Sequence, residues 1–442
     1  MTRKHPIRKM IDKRKKGIFC ALPSYCSANE LVLEAIMEEA GRHDDLVLIE
    51  ATANQVNQYG GYTGMKASDF VDYINNIAER ANFDKERILL GGDHLGPLVW
   101  SEESEEEAME KAEVLVQSFV KAGFSKIHLD TSMRLGSDDV ESWPDTDKIA
   151  QRGVRLYQAC EKAYQELFQT NPQAVAPVYV IGSEVPIPGG GQEQEEKVEV
   201  TSPADFEETI QAYTKAFAKH GIADAWEHIV AVVVQPGVEF SDAGLCKYDR
   251  VKAYELCQEV KKYPNLVMEG HSTDYQGAKL LREMAQDGVG ILKVGPALTF
   301  SLREALFSLH KIEKEVIPPG KKDSDLINVL EKVMLEKSDN WKKHYHGNEQ
   351  ELFLARKYSF SDRCRYYLGE PPVKEAINIL FDNLDQTGIP LNMLCQYLPV
   401  QYKRVRDGIV KNEAKALAKD AVVNIMYDYE YATKENWQME YR

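Results

Sequence analysis

Eight short apolar runs, most of them followed by a stretch with helical spacing, occupy the first two-thirds of this 442-residue chain and leave few architectures open to it. They cover residues 17–20, 46–50, 88–91, 126–129, 178–181, 229–234, 266–268 and 290–294. Between them, residues 105–121 start acidic, as a helix N-terminus favours, and set Ala108, Ala112, Leu115 and Phe119 on one face. Residues 278–287 do the same with Leu280, Leu281 and Met284. Eight strands alternating with helices close into an α/β fold, the (β/α)8 barrel. An open doubly wound sheet is the competing architecture, but no G-x-G-x-x-G follows the first strand. The barrel is assigned to residues 1–315, with residues 316–442 as a C-terminal helical extension packed on it. Residues 1–16 read as an amphipathic opening helix with Ile7, Met10 and Ile11 on one side.

In such a barrel the chemistry sits at the C-terminal ends of the strands, so those ends can be searched for reactive groups. The third delivers Asp93 and His94 side by side onto a glycine-bounded segment. Successive strand side chains point to opposite faces, so both reach one site only where the strand has ended and the chain bends. The seventh delivers His271, Ser272 and Asp274, and the fourth Asp130. A lone histidine commonly satisfies a buried hydrogen bond, but two at strand ends beside carboxylates point to a shared divalent metal. His94 and His271 would hold it, supplemented by Glu184 or Gln235, with Asp93 moving a proton at a neighbouring hydroxyl.

Other ends suit a sugar ligand. The loop of residues 50–64 carries Asn54 and Gln55, whose amides donate and accept, although such a loop can equally satisfy its own backbone. Gly189 and Gly190 expose N–H groups to which a phosphate could bind, and Lys293 ends the eighth strand. In the extension, Arg363 or Arg365 either packs a helix or reaches over the barrel mouth to a phosphate or a partner carboxylate.

Lys and Arg number 54 against 70 Asp and Glu, a formal net charge of −16 that argues against nucleic acid or an anionic membrane as main partner. The seven cysteines show no C-x-x-C spacing, which suits a reducing, cytoplasmic setting. No segment reads as a secretory signal or a membrane span.

Long runs in the chain resemble the GatZ/KbaZ family: residues 48–64, 91–97, 229–240, 269–276, 291–300, 358–367 and 396–399. The resemblance implies a non-catalytic subunit of class II D-tagatose-1,6-bisphosphate aldolase, supporting a separate catalytic subunit in tagatose, galactitol or N-acetylgalactosamine catabolism. An older description of that family as a tagatose-6-phosphate kinase finds no nucleotide-binding motif here. A more distant likeness to the zinc-dependent class II aldolases implies that Asp93 and His94 match their catalytic acid and first zinc ligand. It also sets Glu184 with Gly189-Gly190 against their glutamate and Gly-Gly loop, and His271-Ser272 against a ligand histidine and a phosphate-binding serine.

Two positions depart from that pattern. Gln235-Pro236-Gly237 stands where those aldolases have a ligand histidine before glycine, so one of three imidazoles is expected to be missing. Gly295 stands where a substrate-binding asparagine follows Lys-Val. The implied partners are a catalytic class II aldolase subunit and a phosphorylated ketohexose, with zinc or manganese as cofactor; a homo-oligomer is compatible with the sequence. The alternative is an enzyme acting alone, a metal-dependent ketohexose or ketohexose-phosphate 4-epimerase that interconverts, for example, fructose 6-phosphate and tagatose 6-phosphate.

Overall fold

The computed structural model describes residues 4–43, 45–139, 141–183 and 198–435. Eight parallel strands close into a barrel in chain order: β1 Leu22–Tyr25, β2 Val47–Thr52, β3 Ile88–Leu95, β4 Lys126–Leu129, β5 Val178–Ile181, β6 Ile229–Val234, β7 Val267–Gly270 and β8 Val289–Val294, with β8 pairing back to β1. The chain is thus the (β/α)8 barrel expected from its alternation.

The first strand is not where its apolar signal lies. Residues 17–20 form the turn after the opening helix, with Gly17 at φ +77° and Cys20 in an isolated bridge to Lys434. β1 starts at Leu22 and contains Pro23, a residue that disguises a strand because it cannot donate to the ladder. β4, β5 and β6 have the expected bounds, and β3 runs four residues beyond its expected end.

The helix that follows β3 is explained by its own sequence. The Glu105–Lys121 helix starts at Ser104, whose Oγ accepts the Glu107 N–H, and carries three glutamates in its first turn. It buries Ala108, Ala112, Leu115 and Phe119 on one face, where each of the two large side chains contributes about 1.5–3 kcal/mol.

The barrel interior is layered by strand periodicity. At the bottom, Leu48, Leu89, Val178, Val180 and Ile291 form an apolar plug, completed by Ile7 and Ile11 of the Pro6–Lys15 helix. One step up lies a charged layer, in which Lys126 sits 2.9 Å from Glu50 and 2.7 Å from Glu269, all fully buried. Gly91 makes room for it: a Cβ there would lie 2.7 Å from the Glu50 side chain. The top layer is the candidate site.

Beyond Val316 the described chain is helical. Its final helix, Ala414–Thr433, packs against the helices Glu30–Arg42, Gly277–Asp287 and Pro296–Val316. Ion pairs from Lys415 and Lys419 to Glu34 reinforce that contact. Among the described residues no helix is long and apolar enough to cross a membrane.

Candidate metal centre

Asp93 and His94 reach the same site by a route that differs from the expected strand end. β3 continues to Leu95, and its register with β4 shifts between Gly92 and Leu95. Within that bulge His94 takes φ +47°, a left-handed conformation that costs an ordinary residue on the order of 1–2 kcal/mol and turns its ring to the side of Asp93. Ser272, just beyond β7, has φ +52°. Gly96 closes the bulge because the backbone oxygen of Asp130 lies 1.7 Å from where a Cβ would stand. Gly96→Ala should therefore destabilise the fold by at least about 2 kcal/mol. Thermal unfolding checks this, and a melting temperature equal to that of the parent would show that the close approach is unimportant.

Three imidazoles, not two, meet at the barrel mouth. His128 of β4 joins His94 and His271, with ring centroids 5.0, 4.7 and 5.2 Å apart. Together with Asp93 they offer four ligand atoms within 4.8 Å of one another, all from buried residues.

Each ring has one nitrogen committed to a carboxylate. His94 Nδ1 lies 2.8 Å from Asp130 Oδ2, His128 Nδ1 3.0 Å from Asp93 Oδ1, and His271 Nε2 3.1 Å from Glu269 Oε1. A carboxylate that takes the ring proton fixes the tautomer and presents the other nitrogen's lone pair, the arrangement usual for metal-binding histidines. The His94 N–H also approaches His128 Nδ1, at 3.2 Å. The shorter, charge-assisted contact to Asp93 favours the tautomer with the proton on Nδ1. His128 Nε2 then carries a lone pair, is buried and has no hydrogen-bond partner among the described residues. A buried orphan acceptor is costly unless something binds it, so the residues fit a divalent metal.

The electrostatics of the two imidazoles differ: against the burial that opposes its charge, Asp93 and Asp130 raise the pKa of His94, so a metal bound there would displace a proton. Burial pushes the His271 imidazole down to about 3, which keeps it neutral and able to ligate. Burial opposes charge on Asp93, but Lys293, His94 and the hydrogen bond from His128 outweigh it and hold the carboxyl well below its ordinary range. Burial likewise opposes the ammonium of Lys293, yet Asp93, Cys26, Glu50 and Glu269 hold its pKa well above the usual value. Its Nζ lies 2.9 Å from both Glu50 and Asp93. These contacts are ionic and lack hydrogen-bond alignment.

Asp93, His94, His271, Ser272, Asp274, Lys293, Asn54, Gln55 and Arg365 line one cavity at the barrel mouth. Asp130 stands behind His94. Gln55 divides its amide, since its Oε1 accepts the Thr52 N–H at 2.8 Å. Of the two arginines it is Arg365 that lines the cavity, with its Nη1 donating to the Ser361 and Asp362 carbonyls and its Nη2 to the Tyr366 hydroxyl, while Arg363 is buried and donates to the Asn340 carbonyl at 3.1 Å. Gln235 stands apart from the cluster: its Oε1 accepts the N–H groups of Gly237 and Val238, each at 2.9 Å, and closes its own turn. Glu184, Gly189 and Gly190 lie outside the described residues.

The imidazole expected to be missing at Gln235 thus has a counterpart on a different strand. His128 was legible in the sequence: Lys126, His128 and Asp130 put polar groups at alternate positions of an apolar strand, one face of which must look inward. Cys26, Tyr62 and Tyr366 also line the cavity and carry no such signal.

Residues 7–434 match the family described as D-tagatose-1,6-bisphosphate aldolase subunit GatZ/KbaZ-like. The solved structure of a probable tagatose 6 phosphate kinase from Sinorhizobium meliloti 1021 is 43% identical, with a TM-score of 0.84 over 93% of this chain and 100% of that one. The fructuronate-tagaturonate epimerase UxaE from Cohnella laeviribosi is 12% identical, with a TM-score of 0.43 over 93% of this chain and 82% of its own. The fructose-bisphosphate aldolase from Campylobacter jejuni is 13% identical, with a TM-score of 0.38 over 85% and 91%.

Proposed function

The chain belongs to the D-tagatose-1,6-bisphosphate aldolase subunit GatZ/KbaZ-like family, and on that premise we propose that it works as the subunit that supports a catalytic class II tagatose-bisphosphate aldolase, while carrying a metal- and ketose-binding site of its own. The observation that supports a binding site is the set of three imidazoles, each tethered to a carboxylate, around a buried nitrogen without a partner among the described residues.

His94, His128, His271 and Asp93 would hold the metal, zinc or manganese. When bound, it would supply a Lewis acid that polarises a ketose carbonyl. The chain's own residues do the rest. Asp93, kept ionised by Lys293, would serve as the metal's anionic ligand or, where the three imidazoles hold the metal alone, as the base that takes a proton from a ligand hydroxyl and returns it. Asn54 and Gln55 offer amides to neighbouring hydroxyls, and Arg365, whose Nη1 already donates to the Ser361 and Asp362 carbonyls and whose Nη2 donates to the Tyr366 hydroxyl, would bring its positive charge and remaining donors to a phosphate. Glu184 and the Gly189-Gly190 pair are proposed to complete the site as a second carboxylate and as phosphate donors.

Arg365→Ala should weaken binding of tagatose 6-phosphate by about 10–100-fold, the loss expected for charge-assisted hydrogen bonds worth roughly 1.5–3 kcal/mol. Isothermal titration measures it, and an unchanged dissociation constant would remove Arg365 from the phosphate site.

A second reading is favoured by the completeness of the cluster within one chain. A subunit that only props up a partner has no need of three buried imidazoles, so the chain would act alone as a metal-dependent ketohexose-phosphate 4-epimerase. One experiment addresses both. The purified chain is assayed alone for interconversion of fructose 6-phosphate and tagatose 6-phosphate, then added to a catalytic aldolase subunit whose cleavage rate and half-life are followed. The subunit role predicts a several-fold longer half-life of the partner, and no effect on rate or half-life would sink it. Turnover by the chain alone would establish the second reading.

A further inference from the structure

The helix that leaves β8 begins where barrels of this kind often bind phosphate, at the loops after the seventh and eighth strands. In this chain its first donors are already spent. The N–H of Gly295 donates to Asp274 Oδ1 at 3.0 Å, and that of Ala297 to the same oxygen at 2.8 Å. Pro296 has no N–H, and the Leu298 N–H returns to the Gly295 carbonyl at 3.1 Å. The opening of the Pro296–Val316 helix therefore has no donor left among these four residues for an external anion.

The occupant is a buried side chain of the chain itself. Asp274 is 3% exposed and lines the same cavity as Asp93, His94 and Lys293. Its carboxylate satisfies the positive end of the helix and replaces the charge a phosphate would have brought. A carboxylate only accepts hydrogen bonds, so it welcomes a hydroxyl and repels a phosphate dianion, which has no proton to give. Gly295, which stands where the class II aldolases carry a substrate-binding asparagine, offers only backbone at this point, and that backbone N–H goes to Asp274.

We infer that Asp274 sets the charge of the ligand this cavity accepts: a ketose with at most one phosphate, bound with a free hydroxyl against Asp274, and not a bisphosphate. The inference rests on the ketose-binding reading above and sharpens it, since it separates the ligand of this chain's own cavity from the bisphosphate in the family's description.

Two variants test it. Asp274→Asn keeps an oxygen for the Gly295 and Ala297 N–H groups while removing the charge, and Asp274→Ala frees both donors. Binding of D-tagatose, D-tagatose 6-phosphate and D-tagatose 1,6-bisphosphate to the full chain is measured by isothermal titration, with circular dichroism to confirm folding. The parent should hold the best of the first two at least about tenfold more tightly than the bisphosphate, and Asp274→Asn should narrow that ratio to about threefold or less. Equal or tighter binding of the bisphosphate by the parent overturns the inference, as does an unchanged ratio in Asp274→Asn. Inorganic phosphate supplies an arm independent of any sugar: Asp274→Ala should bind one more phosphate per chain than the parent. If no ketose binds any form, the ketose reading fails while this arm still decides the role of Asp274, and no gain of phosphate overturns it.

Discussion

Replacing His128 with alanine is expected to strip the barrel mouth of its metal, lowering affinity by more than about 100-fold, beyond the 10–100-fold typical of losing a residue that merely orients a ligand. The expectation follows from the ring's placement. His128 is fully buried, its Nδ1 is committed to Asp93, and its Nε2 has no partner among the described residues. Asp130→Asn supplies the graded comparison, because Asp130 only orients His94, 2.8 Å away, and its loss should stay within the milder range. Competition titration against a chelator of known affinity reads both. If His128→Ala binds metal as tightly as the parent, the ring is a structural histidine and the site has at most two imidazoles.

The second large effect is expected one layer below. Lys126→Ala leaves Glu50 and Glu269 buried without the ammonium that joins them, and breaking such a pair from one side typically costs about 3–5 kcal/mol. Lys293 tempers the loss, since its Nζ is 2.9 Å from Glu50 and 3.9 Å from Glu269. Denaturant unfolding followed by circular dichroism checks the prediction, and a cost below about 1 kcal/mol would mean that water or protonation replaces the lysine at little expense. The layer also links stability to function, because Glu269 orients His271 and Lys293 contacts Asp93. Damage to it should reach metal binding as well as folding.

The barrel was legible because periodicity of two and of 3.6 alternates along the chain, and that rhythm survives errors at single strands. It failed at β1, where Phe19 and Cys20 look like strand and Pro23 does not, because only tertiary pairing with β2 and β8 makes Leu22–Tyr25 extended. Asp93, His94 and His271 could be picked out because they follow apolar runs, and the structure brings them together. How Asp93 and His94 share a face could not be read, since the bulge and the left-handed His94 depend on the fit of β3 to β4.

His128 was harder to read than His94 or His271 because it lies in a strand interior and not after a strand end, among positions that are interior in other strands too. In most barrels those hold packing residues, whereas here β4 carries Lys126 and His128 inward. The choice between Arg363 and Arg365 was equally closed to sequence. The two residues sit in a short 3-10 turn that follows Asp362 at φ +46°, and only three-dimensional placement sends one side chain to the Asn340 carbonyl and the other to the cavity.

His94, His128, His271 and Asp93 are proposed to form a metal centre. Anomalous scattering from crystals of the chain grown with zinc, collected on both sides of the zinc edge, tests it most directly. One strong peak per chain is expected, about 2.0–2.2 Å from the lone-pair nitrogens of the three histidines and from an Asp93 oxygen. Crystals that take up zinc elsewhere while these four residues keep their present contacts and show no peak would contradict it.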